Sequence, residues 1–148
     1  MVEYRKVLVP IDGSDHSIQA LEHGVKLAQA FGAELLLLNV ANVVSAIANF
    51  DQTPISGGYV SEQLAEELEA SGRELLAETV KLVPEGVKVS TVLEVGSPGP
   101  VVISTAKEND VDLIVMGSRG LGVLKGIFMG SVSSYVASHD TCPVLIVK

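Results

Sequence analysis

A single cysteine, Cys142, is all that the 148 residues contain. No intrachain disulfide can form, and no cysteine cluster can hold zinc. Basic residues are scarce too, 10 Lys and Arg against 18 Asp and Glu, a formal charge of −8. Such a field repels phosphate backbones and anionic lipid surfaces, so neither nucleic acid nor a membrane is an expected partner. Long apolar runs are missing. The longest strongly apolar stretch, Leu35 to Leu38, is far too short to span a bilayer. Met1 to Lys6 carries no long apolar run, so no signal peptide is expected there. Internal repeats, low-complexity tracts and linkers are absent. These absences describe a soluble, cytoplasmic, acidic protein of one domain, residues 1–148.

Apolar residues are plentiful, at 47% of the chain, with a mean hydropathy of +0.41. A chain of this size buries roughly 68% of the surface exposed on unfolding, enough for a substantial core. Strand-like and helix-like segments alternate along it. Lys6 to Ile11 is a β-branched apolar run ending at the turn Asp12-Gly13-Ser14. Ile18, Leu21, Val25, Ala28 and Phe31 then fall on one helical face, and Gly32 stands where a left-handed cap is expected. Glu34 to Val40 reads as a strand buried on both faces. Ala41 to Gly58 is a long connection, of a length that serves as a lid or binding loop.

A helix is predicted from about Ser61 to Val83, with Leu64, Leu68, Leu75, Val80 and Val83 inward. Val87 to Val95 alternates as a strand, and Ser97-Pro98 starts a helix that ends near Asn109. Asp112 to Met116 is a fourth strand, Gly130-Ser131 opens a last helix, and Pro143 to Val147 is a fifth strand. This βαβαβαβαβ order predicts one α/β domain: a doubly wound, open, parallel five-stranded sheet with helices on both faces. The common strand order 3-2-1-4-5 places its reversal between the first and fourth strands, and ligands bind beyond the carboxyl ends at such a reversal.

The loops meeting there, Pro10 to Ser14 and Gly117 to Ser131, are also the most specialised in composition. Gly117, Gly120, Gly122, Gly126 and Gly130 fall within the second. Glycines permit positive φ and close backbone approach. Exposed amides in such a loop, with the head of the following helix, suit an anion. Ser131 and Ser133 offer hydroxyls, and Arg119 and Lys125 offer positive charge. A di- or triphosphate is the natural ligand. The site is not a P-loop, because Lys125-Gly126-Ile127 lacks the required Gly-Lys-Ser/Thr. A dinucleotide fingerprint fails as well, since the first strand-to-helix turn holds only Gly13.

The spacing Gly117-x2-Gly120-x9-Gly130-Ser131 resembles the ATP-binding pattern of the universal stress protein family. The opening Lys6 to Ser14 and the ending Pro143 to Lys148 resemble that family too. The resemblance implies a Rossmann-like adenine-nucleotide fold and a role for each matching residue. Asp12 would lie by the adenine and ribose with Pro10 alongside, and the Val40 backbone would contact adenine. Met116 and Gly117 would meet the ribose. Gly120, Gly130, Ser131, Val132 and Ser133 would hold the phosphates, with Arg119 at a variable position of the motif. A magnesium or manganese ion could bridge the Asp12 carboxylate and the phosphates. The family also implies a homodimer, formed by antiparallel pairing of the last strand, Val144 to Val147, whose apolar edge invites it.

Three functions compete: an ATP-dependent stress-response switch, a slow ATPase or nucleotidyl-transfer enzyme, and a dimeric interaction module indifferent to nucleotide. Asp12, Ser14 and His16 lie too close along the chain for a catalytic triad. His16 and His23 are two helical turns apart, about 10.5 Å along the axis and too far for one metal ion. They read as surface histidines, and His139 reads as a favourable partner for a helix C-terminus. Cys142 reads as a buried, inert thiol, and the Glu62 to Glu78 face as solvated surface. Leu113 to His139 contains Arg119 and Lys125 and no acid. The acidic balance of the whole chain therefore does not exclude a triphosphate in that one stretch.

Overall fold

The computed structural model describes residues 1–43, 57–120, 129–139 and 141–148, with the side chains of 57–61 outside the description. Most of the predicted Ala41–Gly58 connection, together with Gly122, Lys125 and Gly126, lies outside the described residues. The elements run β1 Lys6–Pro10, α1 Asp15–Phe31, β2 Glu34–Ala41, α2 Gly57–Val80, β3 Val89–Val95, α3 Pro98–Glu108, β4 Leu113–Gly117, α4 Ser131–Ser138 and β5 Val144–Val147. The five strands form one parallel sheet in the order β3-β2-β1-β4-β5. The predicted reversal between β1 and β4 is present.

The sheet's continuous apolar strands divide by parity between two cores. Val7, Val9, Leu35, Leu37, Leu113 and Val115 face α1 and α2, where Leu21, Val25, Ala28 and Leu76 meet them. Leu8, Leu36, Leu38, Ile114 and Met116 face α3 and α4, meeting Val102, Ile103, Ala106 and Val136. A period of two with both faces covered is why these strands lack polar alternation.

Local signals place the helix ends. Ser14, in extended backbone, caps α1 by accepting the Ser17 N–H at 3.2 Å. Gly32, at φ 65°, ends α1 in the left-handed conformation with its N–H on the Ala28 carbonyl. Pro98 opens α3, although Ser97 makes no side-chain cap bond.

The largest departures from the expected boundaries are in α2 and β3. Helix α2 spans Gly57–Val80, because Lys81 begins the turn that leads through Pro84 to Gly86. Strand β3 starts at Val89, and Val95, expected inward, is 47% exposed. β3 is an edge strand, and its last two residues, Glu94 and Val95, are exposed.

The pairing opens at the reversal. β1 and β2 pair from Lys6↔Glu34 to Pro10↔Leu38. β1 and β4 pair only as Val7↔Leu113 and Leu8↔Ile114. Beyond Leu8 the carboxyl ends of these two strands part, and the functional candidates lie at the parting.

Candidate functional site

The β1 side of the parting is anchored to β2. Ile11 donates its N–H to the Leu38 carbonyl at 2.7 Å and accepts the Asn39 side-chain amide at 2.8 Å. Asp12 follows, exposed, and its Oδ1 accepts the Ser14 N–H at 2.9 Å and the Ser14 hydroxyl at 2.5 Å. Asp12 thus holds the residue that caps α1. Gly13, at φ 87°, provides the turn between them.

The β4 side is tied at its base. Ser118 donates its N–H to the Val147 carbonyl at 2.7 Å. Its own carbonyl accepts the Gly130 N–H at 2.6 Å and the Ser133 hydroxyl at 2.9 Å. The segment between Ser118 and Gly130 therefore leaves and returns at one carbonyl. The first intrahelical bond of α4 runs from the Ser134 N–H to the Gly130 carbonyl, at 3.1 Å. The amides of Ser131, Val132 and Ser133 head the helix without an intrahelical acceptor, at the positive end of its dipole.

The motif glycines have three separate physical reasons. None of Gly117, Gly120 and Gly130 has positive φ, so the expectation that they supply that conformation is not met; close approach is the operative property. At Gly117 a Cβ would stand 2.7 Å from His16 Cβ and 3.0 Å from the Arg119 carbonyl oxygen, so α1 and β4 touch backbone to backbone. At Gly120 a Cβ would collide with Asp12 Oδ2, which places the β1 carboxylate directly against the glycine loop. At Gly130 the nearest described atom is the Ser118 carbonyl oxygen at 3.4 Å, and φ −75°, ψ 165° suits any residue. Among the described residues, nothing requires that third glycine.

The whole length of the chain bears on what this arrangement is. The model of the universal stress protein family matches residues 3–148. The chain belongs to the universal stress protein family. A universal stress protein of Methanocaldococcus jannaschii is 36% identical over 146 residues, covering 98% of this chain and 82% of the relative. Universal stress protein YxiE of Bacillus subtilis is 37% identical over 150 residues, covering 98% and 99%. Among solved structures, universal stress protein UspA from Lactobacillus plantarum superposes with a TM-score of 0.84 at 25% identity, covering all of both chains. A universal stress protein in complex with cAMP superposes at 0.64 with 25% identity, covering 99% and 98%.

In this universal stress protein, Asp12 meets Gly120 across the parting, and Ser118, Gly130 and Ser133 are bonded together two residues back along the same strand end. Pro10 ends β1 and Met116 is the last residue but one of β4, buried in the second core. Val40 stands one strand away, in register with Glu94, with Val132 packed on the same core. Ser131 is exposed and Arg119 half-buried. Ser133 is only 2% exposed, and its hydroxyl reaches the Ser118 and Gly130 carbonyls.

The sequence reading passed over Asn39, Ser118 and the packing of His16 on Gly117. Asn39 did carry a signal, as the one polar residue inside the run from Leu35 to Ala41.

The other singled-out residues are accounted for locally. His23 is exposed, and His139 donates its Nδ1–H to the Tyr135 carbonyl in the last turn of α4 while its ring stacks on Tyr135 at 3.9 Å. Cys142, expected to be buried, is half-buried against the second core, and burial followed by the Asp112 charge pushes its thiol pKa up. Among the described residues, no three His, Cys, Asp or Glu side chains converge as metal ligands, and no helix is long and apolar enough to cross a membrane.

Proposed function

We propose that this universal stress protein binds ATP at the parting of β1 and β4 and acts in the cytoplasm as a nucleotide-dependent stress-response switch, in the form of a homodimer. The observation that carries the reading is the meeting of Asp12 with Gly120 across the parting, beside the head of α4. A carboxylate against a close-approach glycine, and a helix head with unaccepted amides tied to Ser118 two residues before that glycine, lie where the strand order reverses. The cAMP held by one structural relative supports an adenine nucleotide as the ligand class.

In this reading Asp12 and Pro10 flank the ribose and adenine, the Val40 backbone meets adenine, and Met116 and Gly117 line the ribose. Gly120, Gly130, Ser131 and the Val132–Ser133 amides cradle the phosphates, and Arg119 adds charge. Asp12 and phosphate oxygens together suit a magnesium or manganese ion, which takes few protein ligands and keeps water. The last strand supports the dimer: β5 is an edge, and Leu145 on it is 38% exposed. Nucleotide acts as a switch only through different affinities for two states of the dimer.

The reading is tested by denaturing the purified protein, identifying any released nucleotide, and titrating nucleotide-free protein with ATP. Bound adenine nucleotide or saturable ATP binding is expected. No released nucleotide together with no binding would overturn it.

A further inference from the structure

We propose that Asn39 is a positioning residue for this site: it fixes the peptide plane that carries Asp12, and so the carboxylate that faces Gly120. The inference rests on the nucleotide reading for its role, and on hydrogen bonds and packing for its geometry.

The β1–β2 ladder ends at Pro10↔Leu38. Ile11 lies one residue past the strand, where β4 no longer supports β1. Its backbone is nonetheless held on both sides of the residue. The N–H bonds to the Leu38 carbonyl, and the carbonyl accepts from the next residue of β2 through the Asn39 side chain. The carboxamide supplies the rung that the ladder lacks. The Ile11 carbonyl can only accept, so the amide nitrogen of Asn39 must face it. The Ile11 carbonyl and the Asp12 N–H belong to one planar peptide unit, so fixing the first fixes the second.

The carboxamide itself is held in place. A Cβ on Gly72 of α2 would stand 2.5 Å from Asn39 Oδ1 and 2.6 Å from Leu93 Cδ1. Glycine inside a helix is disfavoured by about 1 kcal/mol relative to alanine, and here it admits the side chain that braces the site. Asn39 is buried among these neighbours and cannot swing away. From β2 the constraint runs through the Ile11–Asp12 peptide to the Asp12 carboxylate, and Ser14 fixes that carboxylate from the other side.

The test is a double-mutant cycle with ATP as probe, joined to a ligand-free measurement. Asn39→Leu keeps the branching of the side chain and removes the donor. It should weaken ATP binding about tenfold in the natural background and less than about twofold when Asp12→Ala is already present, as expected for two residues acting in series. An equal loss in both backgrounds, or no loss in either, would overturn the proposal.

Without ligand, the Ser14 amide reports the Asp12 carboxylate directly. Its hydrogen exchange should speed up about tenfold in Asn39→Leu, while the Leu21 and Val25 amides keep their protection. Unchanged Ser14 exchange would overturn the proposal. If the unaltered protein binds no ATP, the nucleotide reading fails, and the Ser14 amide alone decides the role of Asn39. If Asn39→Leu does not fold, Gly72→Ala displaces the same carboxamide from the α2 side, and the same paired outcomes apply.

Discussion

Gly130→Ala separates a glycine kept for a ligand from one kept for the fold. Gly130 is the N-cap of α4 at φ −75°, ψ 165°, and an added methyl would find the Ser118 carbonyl oxygen at 3.4 Å and Arg119 Cα at 3.7 Å. These are ordinary contacts, so among the described residues no collision has to be relieved. Alanine is a poorer N-cap than glycine by about 0.5–1 kcal/mol. Removing glycine's freedom from the unfolded chain offsets this by about 0.4–1 kcal/mol. The net change is within about 1 kcal/mol, a Tm shift of no more than about 4 °C for a chain of this length.

Binding should respond differently. A methyl at the head of α4 holds a phosphate off the amides, and losing a charge-assisted hydrogen bond costs about 1.5–3 kcal/mol. That is about a tenfold to hundredfold rise in the ATP Kd. Thermal unfolding without ligand and calorimetric titration with ATP measure the two effects separately. An unchanged ATP Kd would refute the assignment of Gly130 to the phosphates. A ligand-free Tm lower by about 10 °C or more would refute the claim that the fold does not need this glycine.

Three further outcomes follow from the packing and the charges. Gly117→Ala forces a methyl against His16 Cβ and the Arg119 carbonyl; overpacking of this kind costs about 1–3 kcal/mol, so its ligand-free Tm should fall further than that of Gly130→Ala. For Glu34, burial raises the carboxyl pKa, but Lys6 at 3.3 Å and Lys88 at 3.5 Å outweigh it and hold the pKa below the ordinary 4.5. A folded pKa below the unfolded one means that stabilisation is complete above the unfolded value and lost as pH falls through the folded one. Glu34→Gln should therefore cost about 0.5–1 kcal/mol by urea unfolding at pH 7, a deficit that shrinks as the pH falls below the ordinary carboxylate range. Burial and the Asp112 charge raise the Cys142 pKa, so alkylation at pH 7.5 should be slower than in the urea-unfolded chain, where the thiol is solvated.

Most element positions were legible because they rest on local, periodic signals, whereas the strand order was expected only as the common one for this connectivity. Strands covered on both faces read as apolar runs, and Gly32, Ser97-Pro98 and Gly130-Ser131 mark helix ends. What escaped was set by contacts distant in sequence. The α2 face was drawn through Leu64, Leu68 and Leu75, but the track that packs deepest is Gly72, Leu76 and Thr79. Two of those three residues are small or polar and invisible to a count of apolar spacing. Val95 alternates like an inward residue, yet at the end of an edge strand it is 47% exposed.

At the site, the sequence marks the glycines but not why each is glycine. Gly117 answers to His16, Gly120 to Asp12, and Gly130 to no close approach among the described residues. Asn39 shows in the sequence as an odd polar residue, but its acceptor, the Ile11 carbonyl, is 28 residues away, a pairing that only the register of β1 on β2 reveals.

The most direct test of the central claim is the map of backbone amide chemical shifts as nucleotide-free protein is titrated with ATP. The account predicts saturable changes confined to Ile11–Ser14, Val40, Met116–Gly120 and Gly130–Ser133. It also predicts silence at the amino end of the sheet, where Arg5, Glu34 and Lys88 line a groove. Saturating ATP that leaves the first set unmoved, or that perturbs the groove instead, would contradict it.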